Sequence, residues 1–311
     1  MIVVAGEALI DLIVSPDGTM KAIPGGGPYN AARTLGALGS DCTFLGVLAD
    51  DYFGRLLRRG LLDADVTIGC TETTSAPSSL AVAELGEEGA ATYRFYLEGT
   101  SLPMLSAKEA WAGMPDSFDA LHVGTLGLVV EPTASVLETL VEDSAADHLI
   151  MLDPNCRPHA VNDFEAFRER ILRLVEFADV LKVSDDDVSF LFPDGGFDEV
   201  VADVVGRGGV VLYTAGSHPI DVYARDGRGT VIPETGEIVD TVGAGDIFGA
   251  TVLWALLQDG WHKGANWGID QVLPAVRTGS VAAGIACERA GAEPPRLLEL
   301  TARMAKLSSI G

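Results

Sequence analysis

Lysine is nearly missing from this chain: five residues in 311, beside sixteen arginines. Acidic residues number 45 against 21 basic ones, for a formal net charge of -24. A field of that sign repels nucleic acid and anionic lipid, which excludes both as partners. A phosphate-bearing ligand must then be held by local donors: backbone amides, a few cationic side chains, or a metal ion. No run of 18 or more apolar residues occurs, so no segment is expected to span a bilayer. The opening MIVVAGEALIDLIV is apolar but carries Glu7 and Asp11 without a basic leader; it reads as a buried first strand rather than a secretory signal. Cysteines stand only at 42, 70, 156 and 287, with no CxxC pair and no histidine at ligand spacing. That weighs against a disulfide framework or a zinc site, and isolated thiols in a reducing cytoplasm are the better reading. A GxxxxGK[ST] phosphate loop is also absent.

What is present is a folded α/β composition, with 48% hydrophobic residues and 36 glycines spread along the chain. Short β-type runs (MIVVAG, TFLGVL, ALHVG, LIMLD, DVLKV, VVLYT) alternate with helical stretches, the pattern of a doubly wound, mostly parallel sheet covered on both faces. Helix ends are legible. Asn30 to Leu38 closes at Gly39, Ser106 and Glu109 form a capping box ahead of Trp111, and Pro132 opens a helix running to about Asp147. Ala244 to Gln258 is a strong apolar helix, and at least two more follow it. One segment breaks the rhythm: Ser79 to Leu85 and Thr92 to Glu98, joined by a polar GEEG turn, read as a hairpin. It is either an edge hairpin of the main sheet or part of a small projecting sheet with help from residues 13 to 23.

The chemistry concentrates in GEIVDTVGAGDIFGATVLWALLQDG, residues 236 to 260. A β-type run ends near Val242, a GAG turn follows, and a helix opens at once. Helix starts present unpaired N–H groups and a positive dipole end, an anion site in an otherwise acidic protein. Gly243 and Gly245 leave the backbone bare for phosphate oxygens to approach. Asp246 falls in the first turn beside that pocket, where a carboxylate can take the proton from an attacking hydroxyl during phosphoryl transfer. Taken alone, Asp246 is equally well explained as a residue stabilising the helix start. Gly243, Gly245 and Gly249 also fit a loose dinucleotide fingerprint, but that motif belongs to a first βαβ unit and here precedes an all-helical tail.

DTVGAGD followed by FGA resembles the C-terminal signature of the ribokinase/PfkB carbohydrate kinases. GGGPYNAARTLGALG resembles the family's N-terminal mark, GEALIDL its opening strand, DPNCRP its DPNxR run, and KVSDDD its K-x-[NS]-x-x-[ED] segment. The matches follow the family's order from residue 3 to about residue 295. The resemblance implies a single ribokinase-like α/β domain over 1–311, with a small β-lid formed by about 12–24 and 76–100. It implies that Asp11, Gly25, Gly26, Asn30, Tyr96 and Arg157 contact a sugar, with Gly243, Ala244 and Gly245 as the anion hole and Asp246 as the base. MgATP is then the phosphoryl donor, and Lys182, Ser184, Thr214, Gly216, Ser217 and Gly245 are its expected contacts. Asp187 is expected to order a water on Mg²⁺, although Ser184 and Asp187 stand where many members have Asn and Glu. Asp240, with nearby backbone carbonyls, is the candidate for a K⁺ ion. The family's lids often pair between subunits, which implies a homodimer in the cytoplasm.

The hairpin motif YRFYLEGTS resembles the lid of fructokinase-like and 2-keto-3-deoxygluconate kinase members. Sugar-acid kinases tend to carry Arg after the lid's aromatic pair; here Leu97 follows Phe95 and Tyr96, and Arg94 is expected on the face opposite Phe95. A neutral sugar such as fructose is therefore favoured, ahead of 2-keto-3-deoxygluconate. A non-catalytic sugar sensor on the same fold is the reading from a different class, disfavoured by the intact GAGD.

Overall fold

The computed structural model describes residues 1–86, 91–234 and 236–309. Nine strands form the main sheet, in the spatial order Gly227–Val231, Ile220–Ala224, Val210–Thr214, Val180–Ser184, Leu149–Asp153, Ala120–Gly124, Ile2–Ala5, Cys42–Leu45 and Thr67–Ile68. Neighbours run parallel except at one margin, where Ile220–Ala224 is antiparallel to both of its neighbours. The strand sequences explain this architecture. Ile2–Ala5, Ala120–Gly124 and Leu149–Asp153 are buried at every position, as strands covered on both faces must be. Ile2 and Val4 pack toward helices Gly27–Ala37 and Ala244–Gln258, while Val3 and Ala5 join Leu137, Leu140, Phe167 and Ile171 on the other face.

The expected fold class is thus realised, and Ala244–Gln258 has the bounds read from sequence. The opening apolar stretch is a correction. It is two strands rather than one, because the chain leaves the main sheet after Ala5 and re-enters structure at Leu9–Val14 in a second sheet. That sheet has four strands, ordered Met20–Gly25, Leu9–Val14, Leu80–Leu85 and Ala91–Tyr96. The hairpin is therefore part of a separate small sheet and not an edge of the main one. Its GEEG turn falls mostly on residues 87–90, outside the described residues.

The topology also dictates where a ligand can sit. From Ile2–Ala5 the chain first moves outward to Cys42–Leu45 on one side, and later returns to Ala120–Gly124 on the other. The connections leaving these two adjacent strands diverge, opening a crevice at their carboxyl ends, the usual ligand position in such sheets. Among the described residues, no helix is long and apolar enough to cross a membrane.

Candidate active site

Asp246 lies at the mouth of that crevice, in the first turn of Ala244–Gln258 and 8% exposed. Gly243 caps this helix with φ +74°, a left-handed conformation natural to glycine. A Cβ there would stand 2.3 Å from the Cβ of Ala292, so the turn is closed from behind. Gly245 is exposed toward solvent, and Ala244 is half-buried between them. The Ala244 N–H donates to the Thr241 carbonyl at 3.2 Å, and the chain packs tightly behind the turn.

Two neutral amides hold the Asp246 carboxylate. Asn30 Nδ2 donates to Oδ2 at 2.9 Å, and Asn155 Nδ2 donates to Oδ1 at 3.1 Å. Asn30, expected on the sugar, also reaches the candidate base through its N–H, and its Oδ1 has no partner among the described residues. Asn155 occupies a left-handed conformation (φ 39°), a sparsely populated region for residues with a side chain and one found at functional sites. Arg157 donates through Nη1 to Asn155 Oδ1 at 2.7 Å and to the Asn155 carbonyl at 3.1 Å. Its guanidinium thus orients Asn155, which in turn orients Asp246.

Asp11 faces the same crevice from the second sheet. A Cβ on Gly25 would stand 2.0 Å from Asp11 Oδ2, so only glycine leaves room for this carboxylate. Burial pushes the Asp11 carboxyl up to about 6, with the Asp246 charge adding and Arg157 opposing. Gly26, at φ +107°, turns the chain into helix Gly27–Ala37, and a Cβ on Gly27 would lie 3.3 Å from Asp246 Oδ1. The Gly25–Gly27 turn therefore spans the distance from one carboxylate to the other.

Tyr96 does not share this face. Across the small sheet, Ile23, Asp11, Ala81 and Phe95 lie side by side, and the adjacent row is Pro24, Ile10, Leu80 and Tyr96. Successive residues of a strand point to opposite faces, so Phe95 accompanies Asp11 while Tyr96 and Arg94 point away. Phe95 packs beside Leu9, Ala81, Leu97 and Leu126. Tyr96, expected on the sugar, thus lies on the face opposite Asp11.

Beneath the GAG turn lies a buried ion pair. Lys182 Nζ donates to Asp153 Oδ2 at 2.8 Å and Oδ1 at 3.0 Å, with both side chains 4% exposed. The ammonium is 3.5 Å from where a Gly245 Cβ would be. Burial works against the Lys182 charge, but Asp153, Asp187 and Asp246 outweigh it and hold the ammonium above its usual range. Burial also raises Asp153 to about 6 against the pull of Lys182. Lys182 is thus a fixed positive charge under the anion turn, not an extended side chain reaching into solvent.

Ser184 and Asp187 form a reciprocal cap at the start of the helix Asp185–Leu191. Asp187 Oδ1 accepts from the Cys156 N–H at 2.6 Å, and Oδ2 accepts from the Ser184 N–H and hydroxyl. Both oxygens are engaged with protein donors, which anchors the DPNCR loop to the start of this helix. Thr214 ends a strand on the same carboxyl edge, Gly216 turns left-handed after it, and Ser217 is exposed. Asp240 accepts from the Val242 N–H at 3.0 Å and the Gly291 N–H at 2.8 Å, which ties the GAG approach to the loop after Ile269–Cys287. Glu7, Asp153 and Asn155 escaped the sequence reading as site residues, although Asp153 and Asn155 stood inside the quoted DPNCRP run.

A family profile described as pfkB family carbohydrate kinase matches residues 1–298. The chain is 35% identical over 266 residues to a fructokinase of Rhizobium leguminosarum bv. trifolii, covering 83% of this chain and 80% of that protein. It is 33% identical over 273 residues to fructokinase-1 of Oryza sativa subsp. japonica, covering 83% and 84%. In fold it is similar to a fructokinase from Xylella fastidiosa with bound ATP (TM-score 0.89, 24% identity, 99% of this chain and 98% of that one). It is likewise similar to a Vibrio cholerae fructokinase double mutant bound to fructose, ADP and potassium (TM-score 0.79, 23% identity, 96% and 94%). The chain belongs to the pfkB family of carbohydrate kinases.

Proposed function

We propose that this carbohydrate kinase transfers the γ-phosphoryl group of MgATP to a hydroxyl of fructose. The observation that carries the reading is Asp246 itself: a carboxylate held by Asn30 and Asn155, in the first turn of the helix that follows the GAG turn and across the Gly25–Gly27 turn from Asp11. Asp11 and the unpartnered Oδ1 of Asn30 accept from sugar hydroxyls, and the Gly25–Gly26 backbone allows the ring to approach. Asp246 takes the proton of the attacking hydroxyl, while the positive helix start at Gly243, Ala244 and Gly245 meets the charge of the migrating phosphoryl group. Lys182 adds a buried positive field below that point.

The donor set fits a magnesium ion that arrives with the nucleotide. Among the described residues no cluster of three or more His, Cys, Asp or Glu side chains is placed to hold a metal. Mg²⁺ characteristically keeps several waters and binds through phosphates with few carboxylates, and it would neutralise phosphate charge here. Thr214, Gly216 and Ser217 lie along the edge where the nucleotide extends, and Asp240 with the Cys287 carbonyl is the place for K⁺.

Fructose is favoured over a sugar acid because Arg94 points away from Asp11 and ion-pairs Glu84 at 3.7 Å. Relatives sharing 30–35% identity over most of the chain are named fructokinases. The small sheet serves as the lid, and its outward face exposes Met20 and Tyr96, a surface suited to pairing two lids in a homodimer. The four free cysteines suit the cytoplasm. ADP release measured across fructose, ribose and 2-keto-3-deoxygluconate tests the assignment. Fructose should give the highest kcat/KM. Preference for the sugar acid would overturn the substrate, and an absence of turnover with every sugar would favour a non-catalytic sensor.

A further inference from the structure

Glu7 sits at the head of the crevice, directly after Ile2–Ala5, and is only 2% exposed. A carboxylate in such a place is normally paired with a cation. Glu7 instead accepts from two backbone amides on opposite walls: the Gly27 N–H on Oε1 at 3.1 Å and the Gly127 N–H on Oε2 at 2.9 Å. Gly27 is the first residue of the helix bearing Asn30, and Gly127 lies in the turn Thr125–Leu128 after Ala120–Gly124. That turn carries its own left-handed residue, Thr125 at φ 56°.

The reason for the arrangement lies in the glycine turn. Helix Gly27–Ala37 begins at Gly26, which has no side chain to cap it, and Pro28 follows within the first turn. Gly26 cannot carry a cap, because a Cβ there would stand 2.9 Å from the Glu7 carbonyl oxygen. Glu7 supplies the missing acceptor from twenty residues away, and favours the positive end of the helix dipole as a cap would. It also locks the Thr125 turn against Gly27, where a Cβ would lie 2.3 Å from Thr125 Oγ1.

We propose that Glu7 is a positioning residue for sugar binding: its carboxylate pre-sets the Gly25–Gly27 turn by bridging the two walls of the crevice. This rests on the sugar-kinase reading of the site. The bridge needs two acceptor oxygens, and Gln offers one, so Glu7→Gln leaves one wall unheld at nearly constant volume. Leaving one buried N–H without its acceptor predicts a rise in sugar KM of about fivefold to a hundredfold. Because the loss falls on ground and transition states alike, kcat should stay close to that of the parent enzyme. The KM for ATP should not move.

Steady-state kinetics of wild type and Glu7→Gln with fructose and ATP varied separately provide the test. A sugar KM within twofold of wild type overturns the proposal, as does a parallel rise in both KM values or a fall confined to kcat. Hydrogen exchange at the Gly27 amide of the wild-type, sugar-free enzyme supplies an independent reading should the variant fail to fold. Slow exchange is expected; fast exchange shows that no bridge pre-sets the turn. If no sugar supports turnover in wild type, the kinase reading has failed, while the Gly27 exchange still reports on the bridge.

Discussion

Replacing Gly25 by alanine separates sugar binding from folding more cleanly than any other single change in this crevice. The new Cβ would stand 2.0 Å from Asp11 Oδ2, whereas ordinary contact begins near 3.4 Å, so the carboxylate must retreat by about 1.4 Å. Oxygen-to-oxygen hydrogen bonds center near 2.8 Å, and a shift of that size breaks them. The backbone of Gly25 is not in the left-handed region, so alanine itself is accommodated and Asp11 can swing aside. A hydrogen bond to a charged group contributes about 1.5–3 kcal/mol. At 1.36 kcal/mol per tenfold, that converts to a sugar KM higher by about 10- to 150-fold. Steady-state kinetics should show this rise with ATP KM unchanged, and the thermal midpoint should move little. Gly26→Ala should behave differently, because its φ of +107° and the nearby Glu7 carbonyl strain the chain itself. The expected loss there is about 1–3 kcal/mol of stability. An unchanged sugar KM in Gly25→Ala would refute the assignment of Asp11 as the sugar-binding carboxylate.

Removing the ammonium under the anion turn by Lys182→Met leaves Asp153 buried without its partner, a loss of about 3–5 kcal/mol in denaturant titrations, and Lys182→Met with Asp153→Leu should recover much of it. The Glu7 carboxyl is raised by burial from its ordinary 4.5 to about 7, so the folded state holds that proton more tightly than the unfolded chain. Its contribution is greatest below 4.5 and is lost as the pH rises through 7; Glu7→Gln, measured by urea titration, should therefore gain on wild type by about 3 kcal/mol between pH 4.5 and 8. A flat difference across that range would contradict a buried carboxyl. Phe95→Ala should raise the sugar KM several-fold while Tyr96→Ala leaves it within twofold, since only Phe95 shares the face of Asp11.

Local signals carried the fold far. Gly243 and the apolar run after it fixed the bounds of Ala244–Gln258, and the Ser106/Glu109 cap is formed as read. The first apolar stretch misled because hydrophobic content does not reveal where a chain changes sheets, and both Ile2–Ala5 and Leu9–Val14 are apolar. Strand alternation placed Arg94 opposite Phe95 correctly, and the same period puts Tyr96 with Arg94, which the motif resemblance overrode. The site's central contact, Asn30 to Asp246, joins residues 216 apart and has no local trace. Glu7 stayed hidden for another reason: its partners are backbone amides, which no residue type announces.

The central claim is that Asp246 acts as the base in phosphoryl transfer to a sugar hydroxyl. Asp246→Asn keeps the shape of the side chain and removes its basicity. Its turnover with fructose and MgATP should fall by about 10²–10⁴-fold, while calorimetry still shows fructose and nucleotide binding near wild-type affinity. Sugar-dependent ADP release at the wild-type rate in this variant would contradict the account.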